Sequence, residues 1–216
     1  TVITIGQRAF ASCNFTSLKI PNSVTSIGMW AFSQLDSITH LTIPDSVITI
    51  HHGAFESCDN LSSVEIGKSV NTISSFAFAW CNNLKSVTIP NSVNSIGEAA
   101  FGGCRSLIRI EVSSGNSMYI SENGIVFNAD KTTLVAFPAG KSGHYTIPNT
   151  VTTIQDSAFR GCHTLTSVTI PDSVTSIGHA AFKHCTGLAS VTIPDSVTSI
   201  GNGVFEACNG LLNVTI

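Results

Sequence analysis

"SVTIPDSVTSIG" runs from Ser167 to Gly178, and the same twelve residues return from Ser190 to Gly201, 23 positions later. Working outward on the pattern V-x-x-I-G, copies start at Val2, Val24, Val47, Val70, Val93, Val151, Val174 and Val197, with spacings of 22, 23, 23, 23, 58, 23 and 23. A fixed period of this length is the signature of a repeat architecture, in which one unit cannot bury its apolar face alone and stacking supplies the core. The template reads V-T-x-I-G-x-x-A-F-x-x-C-x-x-L-x-x-V-T-I-P-D-S.

Each part of the template has a local reading. In Ser167–Pro171 apolar and polar residues alternate, the mark of a short half-buried strand with Val168 and Ile170 inward and Thr169 outward. Pro171 has no N–H to give a ladder, and Pro-Asp-Ser suits a tight turn. Val174 to Ile177 reads as a second short extended segment. Ala181, Cys185 and Leu188 then fall at i, i+4 and i+7 with Phe182 beside them, which predicts a two-turn helix or a 3₁₀ piece. Identical rungs must offer their neighbours identical surfaces, and that is why the same twelve residues recur.

The stretch from Leu165 to Cys185, LTSVTIPDSVTSIGHAAFKHC, resembles the BspA-like leucine-rich repeat, also called the Treponema pallidum-type repeat. The resemblance runs over nearly the whole chain. It implies a right-handed α/β repeat solenoid of about eight rungs, with short strands on the concave side and short helices or 3₁₀ segments opposite. It also implies a cell-surface or secreted protein of a bacterium or protozoan parasite that adheres to host matrix proteins, cells or mucosal surfaces.

Composition narrows the function. Charged residues are 11% of the 216, and the net charge is −3, without a basic run. Phosphate-rich partners need clustered Lys and Arg, so nucleic acid is excluded as a partner class. No apolar stretch reaches the roughly 20 residues of a membrane span. The chain opens inside the pattern at Thr1 and stops inside it at Ile216, which predicts a piece of a longer protein with an open rung at each end and a tendency to associate end to end. A monomer by light scattering at high concentration counts against that association.

One copy departs from the period. Between Val93 and Val151 lie 35 extra residues, most of them in an insertion over 113–150. Tyr145-Thr146-Ile147-Pro148 replaces SVTIP at its far side. Ile125-Val126-Phe127 and Leu134-Val135-Ala136-Phe137 read as a hairpin turning at Asn128 to Lys131. Two readings stand: an enlarged hairpin-bearing rung that splits or bends the solenoid, or a binding protrusion, since insertions in solenoids often carry ligands.

Candidate chemistry is sparse. Cys13, Cys58, Cys81, Cys104, Cys162, Cys185 and Cys208 all hold template position twelve, and Leu35 fills the same slot, so the slot is apolar packing. A column one rung apart does not converge on a metal, and one isolated Cys with two runs of three cannot pair fully, which predicts a reduced spine. The eight-membered Phe column from Phe10 to Phe205 is core. The seven histidines occupy different positions; only His40, His51 and His52 could approach one another across rungs. Nucleophile-elbow and zinc-protease motifs are absent, so no enzyme, cofactor or metal is expected. Asn14, Asn60 and Asn213 head glycosylation sequons that matter only in a secreted eukaryotic chain.

The informative residues are those the bland pattern does not require. Position seven holds Trp30 and Phe76 where small residues are common, position eleven holds Trp80, and Met29 adjoins Trp30. Clustered aromatics of this kind make contact surfaces. In the exposed column just before the strand Val, His40 and Arg109 are the large members among Ser and Asn. These six residues are the expected ligand-binding set. The function expected is adhesion to, or recognition of, a protein or glycoprotein ligand; the alternative is a rigid spacer with no ligand of its own, about 40 Å long at the strand pitch.

Overall fold

The computed structural model describes residues 1–216 and shows a solenoid of about nine turns. Each turn has three walls. The V-T-x-I segments give two-residue strands that pair in parallel, Thr4–Ile5, Ser26–Ile27, Thr49–Ile50, Thr72–Ile73 and Ser95–Ile96 forming one sheet. Register places like on like: Ile27 on Ile50, Ile50 on Ile73, Ile73 on Ile96. The S-V-T segments form a second wall, with Val or Leu inward and the flanking residues exposed, as in His40–Thr42 and Ser190–Thr192. Short strands suffice because each N–H and C=O finds its partner in the next turn.

The third wall corrects the sequence reading. No helix or 3₁₀ segment occurs over the A-F-x-x-C stretch, which is a run of turns. Positions seven and eleven adopt positive φ in every copy, for example Arg8 and Ser12, Phe76 and Trp80, Ala180 and His184. That reversal sends alternate N–H groups to the next turn: Trp30 to His52 O (2.9 Å), Phe32 to Ala54 O (2.8 Å), Gln34 to Glu56 O (2.8 Å). The intervening ones close local turns, such as Ala31 N–H to Gly28 O at 3.1 Å. A helix would have spent these donors within its own turn and left the rungs unbonded to each other. The i, i+4, i+7 spacing is met all the same, because Ala and Phe between the two left-handed residues, and Cys just after the second, point inward, as Ala181, Phe182 and Cys185 do.

The insertion is the joint of the molecule. Thr133–Ala136 pairs in parallel with Thr153–Ile154, and Gly143–Thr146 with Leu165–Thr169, so the segment forms a further turn of its own. The expected eight rungs thus become about nine, and the insertion lies between two cores rather than protruding. Eleven residues separate Leu134 from Tyr145, whereas fourteen separate their partners Ile154 and Val168, so this turn lacks most of the third wall. The neighbouring arcs therefore touch directly: Gly103 N–H donates to Arg160 O at 3.0 Å, and Ser157 Oγ to Glu98 Oε1 at 2.6 Å. Elsewhere the strand walls are held apart by the hairpin Ile125–Asn128/Thr133–Ala136, which the sequence located correctly. Val126 and Val135 enter the first core, and Ile125, Phe127 and Leu134 the second. Two continuous apolar runs are the expected sequence of strands buried on both faces.

Candidate functional site

The Phe column is a ring stack, with centroids 5.3 Å apart from Phe10 through Phe32 and Phe55 to Phe78. Phe137 from the inserted turn restarts it, 4.8 Å from Phe159. The cysteine column has a role beyond apolar filling. Cys58 donates to Phe32 O at 3.2 Å, Cys81 to Phe55 O at 3.2 Å, Cys185 to Phe159 O at 3.0 Å and Cys208 to Phe182 O at 2.9 Å. A thiol is both small enough for the slot and able to satisfy a buried carbonyl. Leu35 has no thiol to donate, and the carbonyl of Phe10 accepts from the Cys13 N–H at 3.4 Å. The neighbouring thiol of Cys81, then burial, pushes the Cys58 thiol up, and burial does the same to Cys81. All seven are free thiols and only Cys13 is not buried. The expected result is seven titratable thiols after denaturation and fast labelling of Cys13 alone in the native state; two or more disulfides by mass spectrometry would refute a reduced spine.

The six residues singled out from sequence fall on two walls. Trp30, Phe76 and Trp80 are half-buried on the third wall, and Met29 beside them is exposed. Each aromatic lies along the solenoid axis over a neighbouring turn. Trp30 covers Gly53, where a Cβ would come within 2.5 Å of the indole, and its Nε1–H donates to Glu56 Oε2 at 3.0 Å. The ring of His52 stands between Trp30 and Phe76, at 4.9 and 5.4 Å, and the guanidinium groups of Arg8 and Arg160 cap the two ends of the row at 5.1 and 5.2 Å. Trp80 reaches across the joint, over Gly103 and Gly161, to His163 and His184 at 6.2 and 5.9 Å. Gly103 has φ +73° and its Cβ would meet the indole at 2.3 Å, so both the backbone and Trp80 demand glycine there.

His40 and Arg109 stand exposed on the S-V-T wall. Nδ1 of His40 lies 2.8 Å from Thr39 Oγ1, and Arg109 pairs with Glu111 at 3.3 Å, an exposed contact worth little. His51 meets Ser26 at 3.1 Å, so the three histidines that could have approached each other occupy separate surroundings. No group of three or more His, Cys, Asp or Glu converges. No helix is long and apolar enough to cross a membrane.

Sequence reasoning passed over His144, Lys141 and Tyr145. Only Tyr145 carried a signal, as a large ring in the column that elsewhere holds Val, Leu or Ile. The His144 ring is held by Ser167 Oγ at 2.8 Å and Thr146 Oγ1 at 3.0 Å. The aromatic rings of Phe137 and Tyr145 lie 4.9 Å apart beside it.

Stacked 23-residue turns of this kind define a leucine-rich-repeat solenoid. The model of the BspA type leucine rich repeat region matches residues 3–128 and 135–216 in six copies, and the chain belongs to that family. Among solved structures it is similar to the pneumococcal vaccine antigen PcpA, with a TM-score of 0.80 at 21% identity over 99% of this chain and 59% of that one. It therefore spans about three-fifths of that structure. A leucine rich cell surface protein from Faecalibacterium prausnitzii A2-165 superposes with a TM-score of 0.72 at 26% identity, over 99% of this chain and 76% of that one. A leucine-rich repeat protein from Eubacterium ventriosum gives 0.63 at 26%, over 91% and 71%. No curated protein matches the chain.

Proposed function

We propose that the chain is a non-enzymatic recognition module of an extracellular or cell-surface protein, binding a protein or glycoprotein by contact over an extended face. The observation that supports this most is the S-V-T wall. In turn after turn its flanking side chains are exposed, as in Ser86–Ile89 and Asn213–Thr215. A row of fixed hydroxyls on a rigid parallel ladder offers hydrogen bonds whose ordering is complete before a partner arrives. His40 and Arg109 break the row with groups a spacer does not need. The third wall offers a second face, where exposed Met29 adjoins the indole of Trp30 and a hollow of about 270 Å³ lined by Arg8, Gln34 and Glu56. The cell-surface neighbour from F. prausnitzii favours an extracellular setting.

The test is binding to immobilised matrix proteins and glycoproteins. Saturable binding that falls at least about tenfold in the His40→Ala, Arg109→Ala variant, the scale of one lost charge-assisted contact, assigns the S-V-T wall. Loss in Met29→Ala, Trp30→Ala instead assigns the third wall. A chain that binds nothing on the panel is the rigid spacer.

A further inference from the structure

We propose that the S-V-T wall beyond the joint is a trough for a glycan that ends in an acidic sugar, with the terminal sugar seated at the joint. This rests on the recognition reading and names its ligand class. Two hollows adjoin there and share His144. One, of about 440 Å³, is lined by Ile108, Phe137, Lys141 and Tyr145 among others. The other, of about 590 Å³, runs over Ser167, Thr169, Ser190 and Thr192.

The first hollow exists because the ladder is broken. Arg109–Val112 and Gly143–Thr146 belong to different sheets and do not pair. The N–H of Ile110 goes instead to Gly124 O, in the turn between the antiparallel strands Tyr119–Glu122 and Ile125–Asn128, at 2.9 Å. Below that turn the wall is open, with the Phe137 and Tyr145 rings at its base, tilted 54° to each other. Burial, with a smaller push from Glu122, raises the Tyr145 hydroxyl to about 12, so at neutral pH it is a protonated donor. An apolar ring face beside converging donors suits the two sides of a pyranose, one C–H-lined and one hydroxylated.

Charge sets the direction and the type of glycan. Lys141 borders the joint hollow, and the ion pairs of the chain are Arg109–Glu111, Lys131–Glu122 and Lys183–Glu206, so its ammonium is free for a carboxylate. The far hollow is bordered by Asp172 and Asp195. A cation at one end and two carboxylates at the other fit a chain that carries its acid on the terminal sugar and is neutral thereafter. They repel a polyanion. Along the trough the hydroxyls of Ser167 and Thr169 and of Ser190 and Thr192 repeat at the strand pitch of about 4.8 Å, close to the length of one sugar in an extended glycan. Successive turns therefore present donors to successive sugars. An added peptide strand fits less well, because the turn at Gly124 already takes the edge at Ile110.

The experiment uses a tetrasaccharide ending in a uronic acid and its neutral hexose-ended counterpart, with calorimetry for affinity and saturation-transfer NMR for the contacting protons. The acidic probe is expected to bind at least about tenfold more tightly, the worth of one charge-assisted bond. Lys141→Gln is expected to abolish that difference, and His144→Ala to weaken both probes; both side chains lie at the surface, and circular dichroism checks the fold. Equal binding of the two probes, or binding untouched by both substitutions, overturns the proposal. Failure of both probes while a panel protein still binds overturns the glycan assignment and leaves the recognition reading standing. Failure of everything overturns both.

Discussion

Phe127→Ala is expected to cost about 3–5 kcal/mol, the usual range for emptying a buried phenylalanine site, and to split unfolding into two transitions. Phe127 is 2% exposed and lies in the second core, while Val126, its neighbour in the same strand, lies in the first. One strand thus glues two stacks that share no continuous sheet, since the walls on either side of it belong to separate ladders. In repeat arrays stability is close to a sum of turn and interface terms, so weakening one interface uncouples the blocks it joins. Hydrogen exchange read by peptide is the measurement. In the variant, residues 150–216 should open at a lower free energy than residues 20–100, whereas the parent protein should open as a unit. A single transition at the parental midpoint would show that the hairpin is not the joint.

The parts of this fold that were legible in the sequence are those where a physical constraint repeats. Val at position one and Ile at position four are buried in turn after turn, as Val24 and Ile27 show, because parallel in-register pairing stacks each on its own copy. The third wall misled because its apolar spacing satisfies a helix and a left-handed turn run equally. The better clue was glycine, present at Gly53, Gly103, Gly161 and Gly203 among the seventh and eleventh positions, where a helix interior disfavours it. The inserted turn hid for another reason. Its register with Thr153–Ile154 depends on a pairing across 20 residues that no local pattern announces. The cysteine slot was read as apolar, which is true of its walls and silent about the carbonyl at its end. The sequence singles out the aromatic residues but not that the two indoles lie over glycines of the next turn, Trp30 over Gly53 and Trp80 over Gly103, since that complementarity joins residues 23 apart.

Acidification from neutral pH is expected to loosen the joint from its third-wall side, and Trp80 reports it. Trp80 comes from the turn starting at Val70 and lies against His163 and His184 of later turns. Burial, then Arg105 and His184, pulls His163 below its ordinary 6.5; burial, then Arg160 and Lys183, pulls His184 down, with Glu206 opposing. Thr186 Oγ1 meets Nδ1 of His163 at 3.1 Å, while its Nε2 is buried without a partner. A histidine whose folded pKa is depressed binds more protons unfolded than folded, so its contribution is whole above about 6.5 and is lost as pH falls through the folded value. Glu206 adds to the same trend lower down, since its hydrogen bond with Lys183 holds its carboxyl below the ordinary carboxylate value. A proton on His163 or His184 also meets the positive charges of Arg105, Arg160 and Lys183. The chain has two tryptophans, so Trp30→Phe leaves Trp80 as the sole reporter. Its fluorescence should change with a midpoint below 6.5, and the melting temperature should fall over the same window. His163→Gln with His184→Gln should flatten both curves, because glutamine keeps a polar tip and cannot take the proton. A titration that survives the double substitution would place the acid-sensitive groups elsewhere and leave Trp80 as a brace alone.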